Sequence, residues 1–159
     1  MAQTMDTYYD FWRLLAAGAI DLLNDTFKLA LVTSSYTLDL DGDTVWADVS
    51  ANEVANGDGY TTGGATLTSQ TVTRSTYTTT WDAADITWTT LTKTFRGGVI
   101  YKVGTVTDPW GGSDIVNPLV AYILWDDTPA DITVSGVDWT AQFSSLGLLQ
   151  IGPSDELCS

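Results

Sequence analysis

Apolar residues near the start of the chain recur at helical spacing. Tyr8, Phe11, Trp12, Leu15, Ala19, Leu22 and Leu23 step by 3, 1, 3, 4, 3 and 1, the stripe of an amphipathic helix. The pattern predicts one helix over about residues 7–17. Thr7 with Asp10 three positions later resembles a capping box. Gly18 is the expected stop, with Ala19 to Asn24 as a short second turn. After Asn24 the period changes. Phe27 to Thr33 is a mostly apolar run, as in a buried strand, and Ser34 to Asp43 reads as a loop. Leu67 to Thr73 and Tyr77 to Trp81 are threonine-rich, with high β-propensity. Ile86 to Trp88 alternates. Thr92 to Lys102 alternates and then turns continuously apolar. Leu119 to Trp125 is the most apolar run and is expected to be a central strand. Ile132 to Val134, Trp139 to Phe143 and Leu146 to Ile151 complete the set.

Short strands punctuated by Gly, Asn and Asp, with no repeated strand–helix–strand pattern, predict a mainly β fold. The expected architecture is an antiparallel β-sandwich or barrel-like (jelly-roll-like) single domain over residues 1–152, with one N-terminal helix lying across it. Residues 153–159 read as a mobile tail.

Charge narrows the function classes. The 159 residues hold 6 basic and 20 acidic side chains, a formal net charge of −14. A basic nucleic-acid face is not expected at that balance. No apolar run is long enough to span a membrane as a helix, and the first residues do not read as a signal peptide. Seven Trp and abundant β-branched residues argue against disorder. There is no His, and Cys158 is the single Cys. Triads built on His, the usual zinc sites and an intramolecular disulfide are thereby excluded.

Few constellations point to chemistry. Asp39, Asp41 and Asp43 alternate like the start of a calcium loop, but the far-end acidic position falls at Ser50 and the glycine comes one place early. A solvated acidic loop is the preferred reading, with these three as a weak cation candidate. Asp126, Asp127 and Asp131 surround Pro129 and read as a hairpin turn. No phosphate-binding loop and no cofactor motif is present. Trp88, Trp125 and Trp139 fall within strand patterns and read as core. Trp110, between Pro109 and Gly111, is the best exposed aromatic. Tyr8, Tyr9 and Trp12 are assigned, with Trp110, to contacts with a partner, because aromatic rings concentrate at interface centres. Glu53, Asn56, Gly59, Tyr60, Gly63 and Gly64 are assigned to a structural loop. In that loop the Tyr60 ring tucks under the glycine-rich turn and Glu53 accepts backbone N–H bonds.

The stretch from Trp46 to Gly64, WADVSANEVANGDGYTTGG, resembles the "sDvsanEVangnGYttGG" signature of a widespread family of small tailed-bacteriophage structural proteins. Gly18, Ile20-Asp21-Leu22, Asp25 to Leu31, Phe95 to Tyr101 and Pro118 to Tyr122 fit the same family, so the likeness covers roughly residues 14–151. Two places depart from it: the Asp39–Asp43 loop is richer in Asp, and the 106–116 loop carries an extra Pro-Trp-Gly-Gly. The resemblance implies a non-enzymatic virion component without cofactor, located on the outer surface of capsid or tail after assembly in the host cytoplasm. Capsid decoration (cement) by bridging neighbouring subunits is the favoured role; a tail- or fibre-associated module binding host glycan is the alternative. The implied partners are the major capsid protein or other virion proteins, and further copies of the chain in a homo-oligomer.

Overall fold

The structure is a computed structural model that describes residues 4–126 and 130–152. The tail assigned to 153–159, and Asp127, Thr128 and Pro129 of the expected acidic hairpin, lie outside the described residues.

Strands dominate, and every strand pair among the described residues is antiparallel. The main sheet has five strands. At its centre lie β7 (Gly97–Lys102) and its neighbours β2 (Phe27–Val32) and β10 (Leu119–Leu124); β1 (Thr4–Thr7) and β3 (Ala65–Thr66) form the edges. A long ribbon pairs β6 (Ile86–Phe95) with β11 (Ile132–Ala141). A three-stranded sheet joins β4 (Thr71–Arg74), β5 (Thr79–Asp82) and β12 (Leu149–Ile151). A small hairpin pairs β8 (Thr105–Val106) with β9 (Ile115–Val116). The chain is thus sandwich-like and mainly β, as the pattern of short strands predicts.

The main sheet is buried on both faces, which explains its continuous apolar runs. Phe27, Leu29, Leu31, Ile100 and Ile123 face a core shared with Trp81, Trp88, Leu91, Phe95, Val134 and Leu148. Ala30, Val32, Val99, Tyr101, Leu119 and Tyr122 face a second cluster with Tyr8, Tyr36 and Val49. A register shift in β10 between Leu119 and Ala121 lets Val120 and Ala121 both enter the first core. Between the ribbon and the main sheet, Trp139 stacks on Trp88 at 5.7 Å and meets Phe95 and Trp125 edge-on. The core reading of Trp88 and Trp125 holds, since both are buried; Trp139 is half-buried against the same core.

Several boundaries differ from the sequence reading for identifiable reasons. The piece at Ile86 and the run from Thr92 are one strand, broken in appearance by Thr90, a non-glycine at φ +49°. That kink moves the buried positions from Ile86 and Trp88 to Leu91. The pieces at Ile132 and Trp139 are likewise one strand, interrupted by shifts around Gly136. Conversely, Thr92 to Lys102 divides at Arg96, where the chain passes from ribbon to main sheet. The strands on either side of the expected acidic turn, β10 and β11, belong to different sheets. Arg96 Nε and Asp131 Oδ1, 2.8 Å apart, link these two crossings.

The helix α1 (Tyr9–Ala16) occupies the predicted place. It ends in a glycine motif: Gly18 at φ +71° follows the last turn, Gly18 N donates to Leu15 O and Ala19 N to Leu14 O. The start differs. Tyr8 occupies the N-cap without a side-chain cap bond. Thr7 belongs to β1 and accepts from Trp12 Nε1 instead. The buried face runs through Phe11 and Leu14, leaving Trp12 on the flank.

Candidate functional site

The signature segment forms a brace along the open edge of β2. The two-residue strand β3 covers only Lys28 and Leu29 of that edge. Beyond it, Val54 N donates to Leu31 O and Thr33 N to Asn52 O. Between the end of β3 and these bonds, Leu31 N has no strand to pair with and donates to the Tyr60 hydroxyl at 3.1 Å. That hydroxyl in turn donates to Glu53 Oε1 at 2.7 Å, and the same oxygen accepts from Gly63 N at 2.6 Å. One carboxylate therefore ties the ring to the glycine turn: Glu53 takes a backbone N–H, and also the Tyr60 hydroxyl, a bond the sequence reading did not anticipate. Burial, reinforced by the neighbouring Glu53 carboxylate, pushes the Tyr60 hydroxyl far above its ordinary pKa.

The local sequence builds this brace. The Asp48 carboxylate accepts from Thr44 N and Val45 N, capping a short helix α2 (Trp46–Val49) that leads through a tight turn at Ser50–Asn52 to Glu53. Trp46 stacks on Tyr101 at 4.7 Å, and Tyr101 donates to Gly63 O. Burial, and then Glu53, raise the Tyr101 hydroxyl to about 12. Asn56 Oδ1 accepts from Thr62 N across the exposed loop. Gly64 has φ +75°, and a Cβ there would lie 2.1 Å from Leu29 O. Gly59 is pressed in the same way against the backbone of Thr89 and Thr90. The segment ties the loop to the sheet edge through Glu53, Tyr60 and Tyr101.

The residues assigned to contacts divide. Tyr8 is fully buried, so it is corrected from the contact surface to the core. Its hydroxyl lies 2.7 Å from that of Tyr36, which donates to Asp43 Oδ2. Tyr9, Trp12 and Trp110 are 60%, 37% and 56% exposed. They are carried by two elements, α1 and the 108–112 loop, which meet at Arg13. Arg13 Nε donates to Asp10 Oδ1, and Nη1 lies 3.5 Å from Asp108 Oδ1. The guanidinium sits 4.1 Å from the centre of the Trp110 ring. Asp108 Oδ1 also accepts from Trp110 N, setting the loop's turn. The hydrogen bond from Arg13 to Asp10 holds its pKa above the ordinary value. Sequence reasoning missed Arg13. Its only local signal was an acid three residues earlier on the same helix.

The acidic loop is internally committed. Asp39 Oδ1 accepts from Asp41 N and Gly42 N, and Asp43 accepts from Tyr36. Asp39, Asp41 and Asp43 do not converge, and among the described residues no three acidic or thiol side chains form a cation site. No helix among the described residues is long and apolar enough to cross a membrane. No known protein family, curated protein or solved structure matches the chain.

Proposed function

We propose that the chain is a structural component of a tailed-bacteriophage virion, a capsid decoration protein that stabilises the shell by bridging neighbouring subunits. The observation that carries the reading is a set of three exposed rings, Tyr9 and Trp12 on α1 and Trp110 on the 108–112 loop, two elements joined at Arg13; we call this set the aromatic platform. Rings of this kind supply interface anchors at small entropic cost. The signature segment supports the same reading from the other side: Glu53, Tyr60, Gly63 and Gly64 stiffen the sheet edge.

The mechanism is burial of apolar surface at subunit junctions, at about 25 cal/mol per Å² before association costs. Many copies on a lattice multiply a weak contact by avidity. The surplus of carboxylates repels packaged DNA and keeps free copies apart before assembly. Quantitative composition of purified particles tests this. A fixed, high ratio of this chain to the major shell subunit supports decoration. A few copies per particle point to a tail site, and absence from particles rejects the proposal.

A further inference from the structure

We infer that the surface apposed to the aromatic platform is a protein surface bearing arginine or lysine, whose cations stack on Tyr9, Trp12 and Trp110. The inference rests on the contact role proposed above and names the chemistry of the partner. Three observations lead to it. First, Tyr9, Trp12 and Trp110 are exposed rings, and one face of Trp110 already carries a cation, the Arg13 guanidinium 4.1 Å from its centre, which leaves the other face. Second, that guanidinium is consumed within the molecule by Asp10 and Asp108. Two acids against one cation leave this patch with a single negative charge in excess. Third, the chain carries 20 acidic against 6 basic residues, and Arg13, Lys93, Arg96 and Lys102 are ion-paired to Asp.

Charge selects among occupants. A second copy on this face brings a further −14, and nucleic acid or an acidic polysaccharide is repelled more strongly still. A basic protein surface is attracted at long range and then gains ring contacts at short range. Arginine suits the site better than lysine, because its planar, weakly hydrated guanidinium stacks on aromatic faces.

The test uses the whole chain and two peptides, hexa-arginine amide and its uncharged hexa-citrulline analogue, followed by calorimetry at low and high salt. Hexa-arginine binds and hexa-citrulline does not, and added salt weakens binding. Tyr9→Ala and Trp110→Ala each weaken it about two- to fivefold, with unfolding curves confirming that both variants fold. Tyr77→Ala, which removes an exposed ring on the β4–β5 turn, leaves it unchanged. No binding, or equal binding by wild type and both platform variants, overturns the inference. Platform-dependent binding of hexa-citrulline as tight as that of hexa-arginine overturns it too, by showing that charge does not select the partner. The virion reading itself stands or falls separately, on particle composition.

Discussion

Replacing Tyr60 with Phe removes one oxygen from the brace and nothing else. In the folded chain that oxygen satisfies Leu31 N and is itself satisfied by Glu53. Tyr60 is 2% exposed and Leu31 is fully buried, so water cannot readily replace the missing acceptor. A buried N–H left unpaired costs about 1–3 kcal/mol. Losing a hydrogen bond to a carboxylate adds about 1 kcal/mol, since Glu53 is part-exposed and keeps Gly63 N. Tyr60→Phe should therefore destabilise the fold by about 2–4 kcal/mol. For a domain of this size that lowers Tm by about 5–15 °C. Thermal and urea unfolding, followed by circular dichroism, measure it, with an unchanged m value showing that only stability moved. Glu53→Gln should be milder than Glu53→Ala, because an amide oxygen can still accept from both donors. A loss below about 0.5 kcal/mol for Tyr60→Phe, or equal effects of the two Glu53 variants, refutes the account of the brace.

Three further outcomes follow from the same geometry. Gly57→Ala and Gly64→Ala both place alanine at positive φ, but a Cβ at Gly57 meets open space while one at Gly64 meets Leu29 O. The first should cost about 1–2 kcal/mol and the second should prevent stable folding, as soluble yield and melting curves will show. Tyr8, Tyr36, Tyr60, Tyr101 and Tyr122 all have hydroxyl pKa values raised, in each case chiefly by burial. The native state therefore keeps protons that the unfolded chain releases. Their stabilisation is complete below about pH 10 and is lost as pH rises towards and beyond 12, by up to about 1.4 kcal/mol per pH unit for each tyrosine. Urea midpoints should fall steeply over that range, in step with tyrosinate absorbance, and a flat profile contradicts the buried hydroxyls. Trp110→Ala should change stability by less than about 1 kcal/mol, the scale of an exposed cation–π contact, yet reduce retention on particles in a competition against wild type.

Much of this fold was legible because burial leaves a pattern. β2, β7 and β10 are apolar but for Lys28 and Lys102, since both faces of the main sheet are covered. Glu53, Tyr60 and Gly63 could be placed in one loop because they are close in the chain, although the bond from Leu31 N to Tyr60 was not legible. Where legibility failed, the decisive neighbour was remote. Tyr8 fits an exposed helical stripe as well as a buried one; what buries it is Tyr36, 28 residues away. Arg13 and Trp110 meet only in the folded chain, so spacing could not reveal the latch. The ten-residue strand β6 looked like two pieces because Thr90 adopts a backbone conformation that its residue type does not advertise. Thr7 lost its expected capping role to the strand that carries it into the sheet edge.

If the chain is a virion component as proposed, a density map of purified phage particles that contain it is the decisive measurement. The account predicts the β-sandwich on the outer surface of the shell, repeated on the lattice, with the Tyr9–Trp12–Trp110 face turned towards a basic region of the neighbouring subunit. A lattice bare of this domain, or one that holds it with those three rings facing solvent, contradicts the account.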